Sequence, residues 1–263
     1  MNKFILTLAA ICFSAAAASA QFINLTADKQ VEWDSKAQKM TAVGNAVATK
    51  DNMEIKADKM VAYYAKNTSP QAKNKTTISE VHAEGHITMR SERATAYGDI
   101  MDYDIAEDAV VLRGAPAKIK TDRETITADD NITYYPGRQK AVATGNVFAQ
   151  DQKQNKIYSD KMVAFFKKNE KSGSLEMEKV EIYGNVKIKT PDADVTADKG
   201  LYLPQTGIVK LFDNVLITQD GNKLRGDFAE TNLNTGISRL LAGKTSSGRV
   251  SGIFKEKKKD DRK

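Results

Sequence analysis

Two short sequence motifs alternate from Leu25 to Gly243, and this repeat restricts the fold more than any other feature of the chain. The first motif places an aspartate after a small residue, as in Thr26-Ala27-Asp28-Lys29. The second centres on glycine, as in Gly145-Asn146-Val147. The aspartates, at positions 28, 58, 99, 129, 160, 198 and 227, are 30, 41, 30, 31, 38 and 29 residues apart. A sustained interval near thirty residues is typical of repeat architectures, in which each unit packs on the next.

Within each half-unit, apolar and polar residues alternate with period two, which indicates strands with one buried face. For example, Ile182, Val186 and Ile188 share one face of their segment and Lys187 lies on the other. Turn-forming residues recur about every dozen positions, a spacing typical of an all-β sandwich, barrel or roll. We therefore expect about fourteen short strands. The clearest predicted turns are Asp34-Ser35, Pro136-Gly137, Gln205-Thr206-Gly207 and Asp220-Gly221-Asn222.

Stacked strands of one length place their inward side chains in one continuous apolar space. Small residues recur at these inward positions, among them Gly44, Gly85 and Gly145. They allow two sheets to pack closely, or, repeated at every rung, they leave a lengthwise groove that suits hydrocarbon. Both interpretations stay open. The predicted interior residues, which are also the candidate lipid-binding residues, are Leu25, Ala27, Val31, Ala42, Ile55, Ala57, Val81, Ile87, Met89, Ile126, Ala128, Ile132, Ala143, Val147, Ile182, Val186, Ile188, Val195 and Ala197.

Residues 1–20 have the pattern of a cleaved export signal: Lys3, an apolar stretch at 4–18, and a small-x-small site at Ala18-Ser19-Ala20. The apolar stretch is shorter than the roughly 20 residues that span a bilayer. Cys12 lies inside it and leaves a lipoprotein as a less favoured alternative. It is also the only cysteine, so the mature chain has no thiol for catalysis, disulfides or metal binding.

The positive charge of the chain is concentrated near its end. Removing Lys3 lowers the formal net charge from +6 to +5, and residues 255–263 hold six basic and three acidic side chains, which leaves about +2 on the folded body. A nucleic-acid partner is therefore not expected. We predict a roll domain over residues 21–250 and a disordered basic tail over 251–263, with weak attraction of the tail to anionic lipid or sugar phosphate as the alternative.

The titratable residues do not form a recognisable catalytic or metal site. His82 and His86 lie on one strand face, about 13 Å apart at ~3.3 Å per residue, which is too far for one metal ion. No pair of acids is singled out for glycoside hydrolysis. We predict a non-enzymatic chain without a cofactor or metal. The repeated aspartates are expected to pair across strands with Lys29, Lys59, Lys161 and Lys199.

Three pentapeptides, Leu25 to Lys29, Ile55 to Lys59 and Val195 to Lys199, together with glycine-asparagine steps at 44, 145 and 184, resemble the OstA/LptA-like family of periplasmic lipopolysaccharide-transport proteins. The resemblance implies an elongated, open β-jelly-roll of two facing antiparallel sheets, built here from ~30-residue two-strand repeats. It also implies lipid A within the apolar interior, a place in outer-membrane assembly in a Gram-negative periplasm, and end-to-end joining with homologous domains of the inner- and outer-membrane components.

Two other functions stay open. A structural or adhesive exported repeat protein has a filled core and binds no lipid, and a β-solenoid acting on polysaccharide groups its acids and aromatics on one outer face.

The polar stretches Ala65 to Thr77 and Lys167 to Glu176 are predicted to be surface loops. Nothing in Phe22 to Val31 blocks the first sheet edge, which predicts head-to-tail association. The aromatic residues Trp33, Tyr63, Tyr134 and Phe165 are expected to cap the core or line its mouth.

Overall fold

The fold is known from a computed structural model, which describes residues 24–50, 52–66, 76–170, 174–232, 235, 237–242 and 250–253. All regular structure in these residues is β-strand, and all strand pairings are antiparallel. The predicted export signal lies outside the described residues. The strands are β1 (Asn24–Thr26), β2 (Gln30–Asp34), β3 (Lys39–Lys50), β4 (Met53–Lys66), β5 (Thr76–Arg90), β6 (Ala94–Asp104), β7 (Ala109–Arg113), β8 (Ala117–Thr121), β9 (Glu124–Ala128), β10 (Asn131–Tyr135), β11 (Lys140–Asp151), β12 (Lys156–Lys168), β13 (Leu175–Lys189), β14 (Asp194–Leu203), β15 (Ile208–Gln219), β16 (Asn222–Asn232), β17 (Ile237–Leu241) and β18 (Ser251–Ile253).

The strands form two facing sheets that share one edge. Sheet I contains β1, β8, β9, β18 and one half of each long strand, and sheet II contains β2, β7, β10, β17 and the other halves. Each sheet has fourteen strand segments side by side, and we call one level of the roll, with its segment in each sheet, a rung. The predicted count of fourteen thus describes rungs rather than strands, because four rungs are divided into two short strands each. The predicted all-β, antiparallel jelly-roll is confirmed.

The shared edge, which we call the corner, is where each long strand passes from one sheet to the other. Four motif glycines have φ between +72° and +86° there, and the next residue also has a positive φ. Only glycine adopts that conformation without a steric penalty. A Cβ at Gly184 would lie 2.1 Å from Oδ2 of Asp160. Gly44, Gly85 and Gly145, which the alternation placed among the small inward residues, are therefore residues of a backbone bend.

The opposite edges of the two sheets, which we call the rims, consist of hairpin turns. Sheet II ends in turns at 35–38, 105–108, 136–139 and 204–207, and sheet I ends at 91–93, 122–123, 152–155, 190–193 and 220–221. Asp34 initiates the first turn, where its Oδ1 accepts hydrogen bonds from the backbone of Lys36 and Ala37 at 3.0 and 2.8 Å. The four turns predicted from the sequence are confirmed. A cross-section of the roll is thus a V that is closed at the corner.

Two hairpins of sheet II extend beyond the others, and we call them the arms. In the first arm, Tyr64 pairs with Ile78 after a register shift, and in the second, Phe166 pairs with Met177 after an equivalent shift. The predicted loops at Ala65 to Thr77 and Lys167 to Glu176 are therefore shorter than expected, since β4 continues to Lys66 and β13 begins at Leu175. The arm tips, residues 67–75 and 171–173, lie outside the described part of the chain.

The roll contains an internal duplication. Asp28 and Gly44 recur as Asp129 and Gly145, in each case 101 positions later. The contacts recur as well: the backbone nitrogen of Tyr64 donates to Gln38 at 2.9 Å, and that of Phe166 donates to Gln139 at 2.8 Å. Six rungs therefore form one copy, and fourteen rungs are two copies followed by the first two rungs of a third.

At the carboxyl end, β18 pairs with β16 in sheet I. These three residues, Ser251–Ile253, belong to the segment expected to be a disordered tail. Residues 254–263 are outside the described chain.

Candidate functional site

The inward side chains of both sheets form one apolar cluster that runs through all the central rungs. The alternation of side chains along each strand places them there, because every second residue of a strand points to the same side of the sheet. Ile126 and Ala128 of β9 are fully buried from sheet I, and Ile182 and Val180 of β13 are almost fully buried from sheet II. The register shift at each corner preserves this order, so that Ile182 and Val186 both face inward. The site is thus a continuous hydrocarbon interior between two sheets.

The predicted interior set is inward-facing with one qualification. Fourteen of the nineteen residues are buried, and Leu25, Ala27, Val81 and Val195 are partly buried against the cluster. Val31 is the exception, with 53% of its surface exposed. It pairs with Ala42 and has the inward orientation, but β2 is the first rung of sheet II and, in the part of the chain that the structure describes, no rung beyond it covers the side chain. The sequence pattern gives orientation, whereas burial depends on the position of the rung.

The centre of the interior is closed to water in the described residues. Ala42, Ala46, Ala83 and Ala117 have no exposed surface, and the large side chain of Met101 has none either. Of the two interpretations of the small residues, the structure therefore shows close packing of the sheets.

One acidic side chain breaks the apolar character of the interior. Glu124, the first residue of β9, is 4% exposed and follows the same inward alternation as Ile126 and Ala128. Its backbone nitrogen donates a hydrogen bond to Oγ1 of Thr121 at 2.9 Å, in the rim turn. Sequence reasoning missed this residue, although its alternation with Ile126 was a usable signal.

The arms bring additional apolar side chains to the interior near the rim. Tyr64 is 9% exposed, Phe166 is 5% exposed and Met177 is 8% exposed. Across the rims, Nη1 of Arg93 in sheet I donates to the backbone oxygen of Leu175 in the second arm at 3.4 Å. The arms therefore cover part of the open side of the V.

The four aromatic residues predicted to cap the core or line its mouth lie in different environments. Tyr134 is buried inside the roll. Tyr63 is 41% exposed on the outer side, and Phe165 also faces outward, with Nζ of Lys179 4.4 Å from its ring centroid. Trp33 packs edge-on against Tyr64 and donates to its hydroxyl group. The residues that cover the mouth are Tyr64 and Phe166, each one position further along the chain.

The two sequence motifs meet at the corner. At five corners the residue after the bend contacts the motif aspartate of the neighbouring rung; this residue is asparagine at four of them and His86 at the fifth. The expected pairing of these aspartates with lysine is wrong, since Lys59 pairs with Glu84 at 2.8 Å and Lys199 with Asp213 at 3.4 Å. The corner pairs are Asn45–Asp28 (2.6 Å), His86–Asp58 (2.8 Å), Asn146–Asp129 (2.9 Å), Asn185–Asp160 (2.9 Å) and Asn214–Asp198 (2.7 Å).

Both histidines contact carboxylates. The hydrogen bond and charge of Asp58 raise the pKa of His86 above its usual value. His82 lies 2.7 Å from Asp102, which also accepts from Arg113 at 2.6 Å. Burial favours the neutral form of Asp102, but the hydrogen bonds and charges of these two partners lower its pKa overall. No three His, Cys, Asp or Glu side chains of the described residues are placed to hold a metal ion.

The described residues include no helix that is long and apolar enough to cross a membrane. Their architecture is that of an open β-jelly-roll with a continuous apolar interior. The family model described as "LptA/(LptD N-terminal domain) LPS transport protein" matches the chain twice, at residues 24–140 and 125–237. The chain belongs to this family of lipopolysaccharide-transport proteins, as its motifs predicted. The two matches begin 101 residues apart, which is the offset of the duplication.

One solved structure similar to this chain is the crystal structure of LptH, the LptA-homologous periplasmic component of the conserved lipopolysaccharide transport device from Pseudomonas aeruginosa. The sequences are 12% identical, and the match covers 90% of this chain and 96% of the other, with a TM-score of 0.23. The family assignment rests on the family model alone. A search of curated proteins found no match.

Proposed function

We propose that the chain is a non-enzymatic periplasmic carrier that shields the acyl chains of lipid A between its two sheets. The observation that carries this proposal is the apolar cluster that continues through the central rungs of the roll. Apolar burial contributes about 0.8 kcal/mol per methylene, so exposing an acyl chain of a dozen methylenes costs roughly 10 kcal/mol. A lipid of this kind needs continuous apolar cover to cross water. The proposal is also supported by the family of the chain.

Because the interior is filled by side chains, acyl chains enter only if the rims separate. The corner is the natural hinge, since it joins the sheets through short bends, while the rims are separate sets of turns. The contact from Arg93 to the second arm is long, at 3.4 Å, and involves an exposed side chain. Inward side chains such as Ala143 and Ile182 then lose contacts within the interior and gain contacts with the acyl chain.

The two ends of the roll are the proposed joints with other components. Val31 and Trp33 are exposed at the first edge of sheet II, and Ile253 is 69% exposed in the last strand of sheet I. Unpaired strand edges accept a further strand through backbone hydrogen bonds. We propose that these ends pair with homologous domains of the inner- and outer-membrane components, or with a second copy, so that the interiors form one path.

Site-specific photocrosslinking tests the interior. A photoreactive residue replaces Ile182, Val186 or Ala143, which are at most 2% exposed, and lipopolysaccharide labelling is compared with that from outward Lys187 and Thr144. We expect labelling from the inward set at several times the outward level. Circular dichroism verifies that each variant is folded. Equal labelling from both sets rejects the carrier mechanism.

A structural or adhesive exported repeat protein is the second candidate, and the closed interior favours it. Ala42, Ala46 and Val147 have no exposed surface, as expected of a roll whose core is complete without a guest. The two functions differ in what the purified chain carries. Lipopolysaccharide retained through purification and displaced by excess lipid A supports the carrier, whereas a lipid-free chain that takes up none supports the structural function.

A further inference from the structure

The outward side of sheet I, which we call the basic face, has a strong charge asymmetry. It consists of two rows of fourteen residues that follow the strand register, one from Thr26 to Ser251 and one from Asn24 to Ile253. Nine of these positions are Lys or Arg, and two, Glu54 and Asp194, are acidic. The excess of seven positive charges is larger than the net charge of +6 on the whole chain. Near-neutrality of the folded body therefore reflects an uneven division of charge: these two rows are positive, and the motif aspartates, such as Asp58 two residues beyond Lys56, border them at the corner.

The cations of the basic face are available to a partner. Within the described residues, only Lys56 and Lys189 of this face lie within 4 Å of a carboxylate, Glu54 at 3.2 Å and Asp194 at 3.9 Å. Six of the nine cations stand in pairs two residues apart on one strand, which places both members on the same face. These pairs are Lys118 and Lys120 in β8, Lys187 and Lys189 in β13, and Lys223 and Arg225 in β16.

The outward side of sheet II differs, because its cations are matched by acids on the same face. Lys59 pairs with Glu84 at 2.8 Å, and Lys210 pairs with Glu230 at 3.4 Å. Cross-strand pairs of this kind neutralise a sheet surface locally. The positive face is thus a property of one sheet and not of the fold in general.

Aromatic rings lie among the cations of the basic face. Tyr97 and Tyr158 are 36% and 37% exposed, and Nζ of Lys118 is 5.0 Å from the ring centroid of Tyr97. Phe148 packs beside Tyr158 with their ring centroids 5.1 Å apart. Exposed rings of this kind offer an apolar surface with a polar tip, and the C–H faces of sugar rings stack on such surfaces. Cations and rings together suit an anionic saccharide.

The shape of the face favours a linear partner over a flat one. Fourteen rungs spaced by about 4.8 Å form a track roughly 60 Å long. Neighbouring strands of a sheet generally rotate by about 20° in the same direction, and such a twist carries the two rows of the track around the roll. A flat bilayer contacts few rungs of a twisted sheet at once, whereas a flexible polymer follows the track.

We propose that the basic face of sheet I binds a linear anionic polysaccharide, with the acidic groups of the polymer on the lysine and arginine pairs and its sugar rings on Tyr97 and Tyr158. This site lies on the side of sheet I that faces away from the interior. It is independent of the proposed lipid path and goes beyond it. The polymer is bound and not cleaved.

Fluorescently labelled polygalacturonate, with neutral dextran as the control polymer, tests this site on the full mature chain. The variant in which Lys118, Lys120, Lys187 and Lys189 are each changed to Gln is expected to bind about tenfold more weakly or worse, since it removes four of nine cations. The matched control carries the same four-charge loss on sheet II. It changes Lys39, Lys161, Lys199 and Lys210 to Gln and is expected to change affinity by less than about twofold.

Equal losses in the two variants, or no binding of polygalacturonate by the unaltered chain, overturn the proposal. Tyr158→Thr separates sugar contact from charge, because threonine keeps strand propensity and the net charge is unchanged. We expect severalfold weaker polymer binding, with an unchanged thermal midpoint as the folding control. Vesicles of phosphatidylglycerol provide the alternative partner. Tighter binding to these vesicles than to the polymer, lost in the same four-lysine variant, overturns the polysaccharide in favour of a bilayer.

Discussion

Asn185 donates hydrogen bonds to both carboxylate oxygens of Asp160, at 3.1 and 2.9 Å. The two residues come from different motifs of the repeat and lie 25 positions apart in the sequence. Their contact is repeated at four other corners with the same pairing of motifs. The two motifs therefore alternate along the chain because each contact between neighbouring rungs needs one residue from each motif.

Removing this contact should weaken the corner measurably. Asp160→Ala leaves Asn185 in its left-handed conformation without an acceptor, and we expect a loss of about 1 kcal/mol in the free energy of unfolding. For a chain of this size, that is a fall of roughly 2–4 °C in Tm, measured by calorimetry. Asp192→Ala, an exposed position in a rim turn, is the control and should change stability by less than about 0.5 kcal/mol. Equal effects would show that the corner pair contributes nothing specific.

The backbone bend at the corner should tolerate substitution poorly. Gly145 has a φ of +83°, and an added Cβ would lie 2.4 Å from Cγ of Asp130. We expect Gly145→Ala to destabilise the chain by about 1–2 kcal/mol or more in chemical denaturation. Gly200→Ala is the comparison, since that glycine has no positive φ and its nearest contact would be 3.3 Å. A larger loss at Gly200 would contradict the conformational explanation.

The corner at His86 should respond to pH, unlike the corners that use asparagine. Asp58 raises the pKa of His86 above 6.5, so the stabilising pair is fully formed below about pH 6.5 and is lost as the pH rises through the higher folded-state pKa. The chemical shift of the His86 ring, followed by NMR, measures this pKa directly. Asp58→Asn should bring the pKa back toward its usual value. If the two titrations coincide, Asp58 is not the cause.

The fold class could be predicted from the sequence because it depends on two periodic patterns. Period-two alternation gives the inward side of each strand, and the repeat gives the number of rungs. The partners of the aspartates were missed, because the asparagine of Asn185–Asp160 reaches its acceptor only after the corner bend forms. Exposure of Val31 was missed because a sequence pattern does not distinguish an end rung from a central one. The basic face was missed because a summed charge hides how positive and negative side chains are divided between two sheets.

Neighbouring residues on one strand should differ sharply in their effect on stability. Ile126 has no exposed surface, and Ile126→Ala leaves a cavity in the interior, for which we expect a loss of about 2–4 kcal/mol in the free energy of unfolding. Thr125 precedes it on the outer face of β9, so Thr125→Ala should cost less than about 1 kcal/mol. Urea denaturation of both variants gives the comparison. Similar losses would mean that the two sides of the strand are not distinct.

The first edge should control association if the proposed end-to-end joining is correct. Val31→Lys places a charge on the inward side of an end strand, which is a known way of blocking strand addition. Sedimentation velocity over a range of concentrations should show weaker self-association, with Tm changed by less than about 2 °C because Val31 is already exposed. Glu32→Lys alters the outer side of the same strand and serves as the control. The joint is elsewhere if only the control loses association.

The duplication makes the length of the molecule adjustable in steps. The first copy of six rungs pairs with the second through β7 with β10 and β8 with β9, in the same antiparallel arrangement as the rungs within each copy. Insertion of one more block of about 100 residues would lengthen the body by roughly 29 Å, at about 4.8 Å for each of six rungs. Both terminal rungs would stay as they are. Distances of different size can thus be spanned by the same kind of chain through tandem copying, without redesign of its ends.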